Sequence, residues 1–127
     1  MTHRILIVDD QPDIRKLVNL TLQHLEDAEL HEADNGMDGW QMARRLRPDL
    51  VLLDVMMPGE LDGFQVCEKI KKDPELGPGT RIILLTARAQ KEDLELGERV
   101  ACDAYLTKAF SPLKLLDLVD DLLSRHG

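Results

Sequence analysis

The sequence predicts an α/β domain, a doubly wound parallel sheet covered by helices on both faces. Three observations predict it. Short apolar runs alternate five times with stretches whose apolar residues recur at three- and four-residue steps, with no internal repeat or linker. The most apolar runs show no polar alternation, as expected of strands buried on both sides. The 127 residues, 43% hydrophobic and 31% charged, suit one domain with one core; such a chain is too apolar to be disordered and too charged to lie in a membrane.

The elements follow in order. Arg4 to Val8 is an apolar run ending at Asp9-Asp10, and Pro12 can open the helix after it. That helix carries Ile14, Leu17, Val18, Thr21, Leu22 and Leu25 on one face. Ala28 to Ala33 alternates like an edge strand, Asn35-Gly36 is turn chemistry, and Met37 to Leu46 reads as a helix stopped before Pro48. Leu50 to Leu53 is the most apolar strand and runs directly into Asp54. After a loop with Pro58-Gly59, Asp62 can cap a helix carrying Phe64, Cys67 and Ile70. Arg81 to Leu85 is a buried strand ending at Thr86, and Gln90 to Val100 reads as a polar, weakly amphipathic helix. Ala104 to Leu106 is a short strand leading to Lys108. Ser111-Pro112 then starts a last helix, with Leu113, Leu116, Val119 and Leu123 on one face.

Composition excludes several functions. With 24 acidic against 16 basic residues the net charge is −8, which opposes direct DNA binding through a broad phosphate-reading surface. Aromatic residues are 3% of the chain, too few for Trp40, Phe64, Tyr105 and Phe110 to make a base-stacking platform. Cys67 and Cys102 lack metal-ligand spacing, and Cys67 reads as a helix core residue. His3, His24, His31 and His126 are scattered and read as surface residues. No signal peptide or spanning segment is visible, so the expected location is cytoplasmic, without membrane insertion.

Chemistry collects at one edge. Parallel strands deliver their carboxyl ends together, where open α/β sheets place their sites. Four of the five strands finish in Asp9-Asp10, Asp54, Thr86 and Lys108. Singly, each could be a polar residue where a strand meets water. Together, facing carboxylates on buried strands raise one another's pKa and oppose folding unless something compensates. A divalent cation with oxygen ligands compensates most simply, and Mg²⁺ needs only one or two carboxylates plus waters.

At these residues the chain resembles the receiver domains of two-component response regulators. The matching stretches are Ile5 to Asp10, Pro48 to Gly59, Leu84 to Ala87 and Tyr105 to Lys108. The resemblance implies a flavodoxin-like (βα)5 sheet in strand order 2-1-3-4-5, filling residues 1–127 as one receiver domain without an output domain. It implies Asp54 as phosphoacceptor, taking a phosphoryl group from a sensor histidine kinase or a histidine phosphotransfer protein. Mg²⁺, with Mn²⁺ as a substitute, would be held by Asp10, Asp54 and the Met56 backbone carbonyl, with Asp9 holding a coordinated water. Lys108, two strands from Asp54 and so roughly 10 Å away at about 4.8 Å per strand, would reach a phosphoryl oxygen. Thr86 and Tyr105 would form the switch that changes the face of the fourth helix, fifth strand and fifth helix. The implied protein is a regulatory phosphoacceptor and not an enzyme in its own right, a monomer or weak dimer acting on a downstream protein target.

Some positions depart from the family pattern. Ala109 follows Lys108 where proline is usual, which puts the aim of Lys108 in question because a non-proline cis bond costs about 2.5–4 kcal/mol. Ala101 stands where a glycine commonly ends the fourth helix, so a less regular cap is expected. The competing readings are a pseudo-receiver that binds partners without phosphorylation, an aspartyl-phosphate hydrolase, and a flavin binder. The hydrolase needs a second Asp where Met56 stands. A flavin phosphate would be repelled by Asp9, Asp10 and Asp13.

Overall fold

Five strands and five helices alternate along the chain in the computed structural model, which describes residues 2–87, 91–108 and 110–124. The strands are β1 (His3–Val8), β2 (Ala28–Ala33), β3 (Leu50–Asp54), β4 (Arg81–Thr86) and β5 (Ala104–Thr107). The helices are α1 (Pro12–Leu22), α2 (Gly36–Leu46), α3 (Gly63–Lys72), α4 (Lys91–Arg99) and α5 (Pro112–Ser124). The sheet is parallel, in the order β2-β1-β3-β4-β5. This is the flavodoxin-like arrangement expected from the sequence. Gln90, His126 and the Lys108–Ala109 peptide, on which expectations were placed, lie outside the described residues.

The central strands are apolar along residues 5–8, 50–53 and 82–85 yet still obey the two-residue period of a pleated strand. Leu6, Val8, Val51, Leu53, Ile82 and Leu84 pack with Ala43 of α2 and with Val66, Cys67 and Ile70 of α3. Ile5, Ile7, Leu50, Leu52, Ile83 and Leu85 pack with Val18 and Leu22 of α1 and with Leu115, Val119 and Leu122 of α5. Each such side chain contributes roughly 1.5–3 kcal/mol on leaving water. This two-sided core holds the strand ends in register.

The periodicity placed most of the α1 and α5 core residues and misplaced Leu17 and Leu113. In α5 the buried leucines are Leu115, Leu122 and Leu123, whereas Leu113 is 73% exposed. Leucines at 113, 115, 116, 118, 122 and 123 cover most of the circumference, so three- and four-residue spacing fits more than one face. Packing against β5 and α1 decides which is buried. In α1, Leu17 is 38% exposed, and Leu25 lies past the helix end.

Caps also differ. Asn35-Gly36 starts a helix instead of making a free turn, the Asn35 side chain accepting from the Asp38 N–H. Asp62 caps α3 as expected, in a reciprocal pair with Gln65. The expected irregularity at Ala101 is absent. Cys102 N–H donates to Gly97 O, and Ala101 N–H to Glu98 O, which together close a Schellman cap. Ala101 meets that geometry by taking φ of 63°, a left-handed conformation usually left to glycine.

Candidate functional site

Parity and register bring the polar strand ends together. Asp9 continues the Ile5 and Ile7 side of β1, Asp54 the Leu50 and Leu52 side of β3, and Lys108 the Ala104 and Leu106 side of β5. Val8 pairs with Leu53, so Asp9 and Asp54 stand side by side one step further on. Thr86 continues the other side, that of Ile82 and Leu84, which Tyr105 shares through its pairing with Leu84. The sheet thus sorts the site into an acidic group with Lys108 and a hydroxyl pair beside it.

Asp9 is fully buried, Asp54 is 1% exposed, and Asp10 faces solvent. One carboxylate oxygen from each lies within 4.8 Å of the other two. Among the described residues this is the one group of three or more metal-ligating side chains so arranged. Asp54 Oδ1 accepts from the Met56 N–H at 3.2 Å, and Asp9 Oδ1 accepts from the Gln11 N–H at 2.8 Å. Oδ2 of each carboxylate is buried and, among the described residues, receives no backbone N–H; what faces it is the Lys108 ammonium. Burial first, then the neighbouring Asp9 charge, push the Asp54 carboxyl up to about 6.

The Lys108 stem spans the intervening strand. Its Nζ stands 3.2 Å from Asp9 Oδ2 and 3.2 Å from Asp54 Oδ2. One ammonium between two carboxylates leaves the cluster net negative, so the donor set suits a hard divalent cation with oxygen ligands. The mouth of the site is a cleft of about 190 Å³ lined by Asp10, Gln11, Asp54, Met56, Ala87 and Lys108.

Thr86 is 3% exposed. The Tyr105 ring is half-buried and packs against Gly97 of α4, where an added Cβ would come within 3.3 Å of it. Burial raises the phenol above its ordinary value, and the neighbouring Thr86 hydroxyl acts against the rise.

Sequence reasoning missed three residues. Gln11 contacts Lys108 Nζ through its side-chain carbonyl. Arg15 donates to the Asp9 backbone carbonyl at 2.7 Å and pairs with Glu32 of β2 at 3.2 Å, tying the acidic loop to the sheet edge. Gly63 backs onto Asp54, since a Cβ there would sit 2.1 Å from the Asp54 carbonyl oxygen. An available signal for Gln11 and Arg15 was their place on the first turns after the acid pair. Of the four histidines, His3 and His31 are half-buried and not fully exposed, lying 3.8 Å from Asp49 and 3.1 Å from Glu29 respectively. Cys67 is a core residue as expected.

An acidic cleft crossed by one lysine, at the carboxyl edge of a 2-1-3-4-5 parallel sheet, marks an open α/β domain with its site where the strands end. The chain belongs to the response regulator receiver domain family, whose profile it matches over residues 5–120. It is 38% identical over 125 residues to the transcriptional regulatory protein SrrA of Staphylococcus aureus, an alignment covering 98% of this chain and 49% of SrrA. It is also 38% identical over 122 residues to the DNA-binding dual master transcriptional regulator RpaA of a Synechocystis species, covering 96% of this chain and 49% of RpaA. The chain therefore spans about half the length of these relatives. Among solved structures, the chemotaxis protein CheY4 of Vibrio cholerae superposes with a TM-score of 0.87 at 28% identity, covering 96% of this chain and 99% of CheY4. Among the described residues no helix is long and apolar enough to cross a membrane.

Proposed function

We propose that this chain is a Mg²⁺-dependent signalling switch in which Asp54 accepts a phosphoryl group from a phosphohistidine on a sensor histidine kinase or histidine phosphotransfer protein. The observation that carries the reading is the state of Asp54, a buried carboxylate with one oxygen fixed by Met56 N–H and the other held only by its ion pair with Lys108 among the described residues. That second oxygen is the candidate nucleophile. It attacks phosphorus as the nitrogen–phosphorus bond breaks, the imidazole leaves with that bond's electron pair and the proton already on its other ring nitrogen, and an acyl phosphate forms. Asp10, Asp54 and the Met56 carbonyl are the proposed holders of Mg²⁺, with Asp9 beside them. When bound, that ion supplies neutralisation of charge on the transferring oxygens.

Lys108 then offers its ammonium to a phosphoryl oxygen. An added charge of about −1.5 to −2 draws the Thr86 hydroxyl toward it, and Tyr105, on the same sheet side, follows into the freed space. The readout is a changed face of α4, β5 and α5 for a downstream protein. Protein contacts are favoured over direct DNA contact by the net charge of −8. The test is intact mass after incubation with Mg²⁺ and acetyl phosphate. A labile gain of one phosphoryl group, absent in Asp54→Ala, supports the reading. No gain from acetyl phosphate or from a cognate kinase overturns it in favour of a pseudo-receiver.

A further inference from the structure

Lys108 has three N–H donors, and among the described residues three partners stand around them: Asp9, Asp54 and Gln11. Two of these are the carboxylates on which a divalent cation would draw. A cation seated there takes over their charge and repels the ammonium, leaving Gln11 as its neutral side-chain partner among the described residues.

The sequence and backbone make Gln11 suited to that role. It is the N-cap residue of α1, extended at φ −92° and ψ 112°. Its side chain makes no capping bond, whereas a serine or aspartate at this position would fold back onto the helix. Its backbone is held on both sides. The N–H donates to Asp9 Oδ1 at 2.8 Å, and the carbonyl accepts from Ile14 and Arg15 N–H, each at 3.2 Å. The side-chain carbonyl is therefore presented to the cleft mouth from a fixed anchor.

We propose that Gln11 is a positioning residue for phosphoryl transfer, its side-chain carbonyl holding the Lys108 ammonium at the cleft mouth once a divalent cation occupies the carboxylates. The inference rests on the phosphoacceptor reading above and adds a residue to it. Without this contact the lysine stem swings into solvent, and the incoming oxygen loses its partner.

The test uses Gln11→Met, which keeps the side chain's length without its amide, and Gln11→Asn, which keeps the amide without its reach. Two measurements are made on the full chain. In the first, isotope-labelled lysine reports the Lys108 ε-methylene during Mg²⁺ titration, with Lys108→Arg giving the assignment. Its signal stays distinct from those of solvent lysines in the wild type and merges with them in Gln11→Met. In the second, phosphorylation by acetyl phosphate at saturating Mg²⁺ falls by about tenfold in both variants, the scale of one lost charge-assisted hydrogen bond. Mg²⁺ affinity stays within about twofold, and Gln11→Met adds no further loss in a Lys108→Ala background. A wild-type chain that gains a phosphoryl group while Gln11→Met matches it in rate and lysine signal overturns this inference alone. Equal losses with and without Lys108 also overturn it. A wild-type chain that gains no phosphoryl group overturns the phosphoacceptor reading beneath it.

Discussion

Replacing Asp54 with asparagine should stabilise the metal-free fold, and the gain should depend on pH. Asp54 lies beside Asp9, and burial with that neighbouring charge lifts its carboxyl from 3.8 to about 6. A raised folded value means that the folded chain keeps this proton where the unfolded chain has released it. The contribution to stability is therefore fully present below about pH 4 and is lost as pH rises through about 6. At about 1.4 kcal/mol per pH unit the difference reaches ~3 kcal/mol, and water entering the cleft mouth reduces it to about 2. The rise to about 6 already includes the opposing pull of Lys108, so asparagine, which keeps the acceptor for Met56 N–H but buries an amide N–H beside that ammonium, leaves an expected gain of about 1–2 kcal/mol above neutral pH. For a chain of this size that raises Tm by roughly 3–8 °C. Thermal unfolding of both proteins in chelator, from about pH 4 to 8, measures it. The two should coincide at the acid end and diverge through pH 5 to 7. A variant less stable than wild type at neutral pH, or a gain of equal size at every pH, refutes the claim that these carboxylates strain the fold.

Other consequences can be checked in the same way. Ala101→Gly relieves the left-handed strain at φ 63° and should raise stability by about 0.5–1 kcal/mol in denaturant titration, so an unchanged midpoint would speak against the cap as described. Gly63→Ala places a Cβ 2.1 Å from the Asp54 carbonyl oxygen, and should cost about 2 kcal/mol or more and weaken Mg²⁺ binding along with it. Far from the site, Lys71 Nζ pairs with Asp103 at 2.7 Å, and Asp103 also accepts from Ile82 N–H at 2.7 Å. Asp103→Ala leaves Lys71 without its counter-charge and should cost about 3 kcal/mol, with phosphorylation by acetyl phosphate retained in whatever fraction folds.

The parts of the fold that could be read from sequence are those set by local pattern. Four apolar runs that lead into polar residues, and one alternating edge strand, place both the sheet and the acidic edge. Asp9, Asp54 and Lys108 converge because all three continue the same side of their strands. What could not be read depends on distant partners. The face of α5 is chosen by packing, since its leucines allow several stripes. Gln11 stands between Asp10 and Asp13 with no pattern of its own, and only the sheet order brings Lys108 across to it. The bracing of Asp9 by Arg15 and Glu32 likewise joins α1 to β2 through side chains that neither element's periodicity singles out. The left-handed Ala101 was visible as a missing glycine, but the backbone meets the cap with alanine in place.

The most direct test is the chemical location of the phosphoryl group. After phosphorylation with acetyl phosphate and Mg²⁺, borohydride reduction converts an aspartyl phosphate to homoserine, and peptide mass spectrometry finds where. The account predicts homoserine at position 54 alone, dependent on Mg²⁺ and sharply reduced in Lys108→Ala. Homoserine at Asp9 or Asp10, or none at any position when a cognate kinase is supplied, would contradict it.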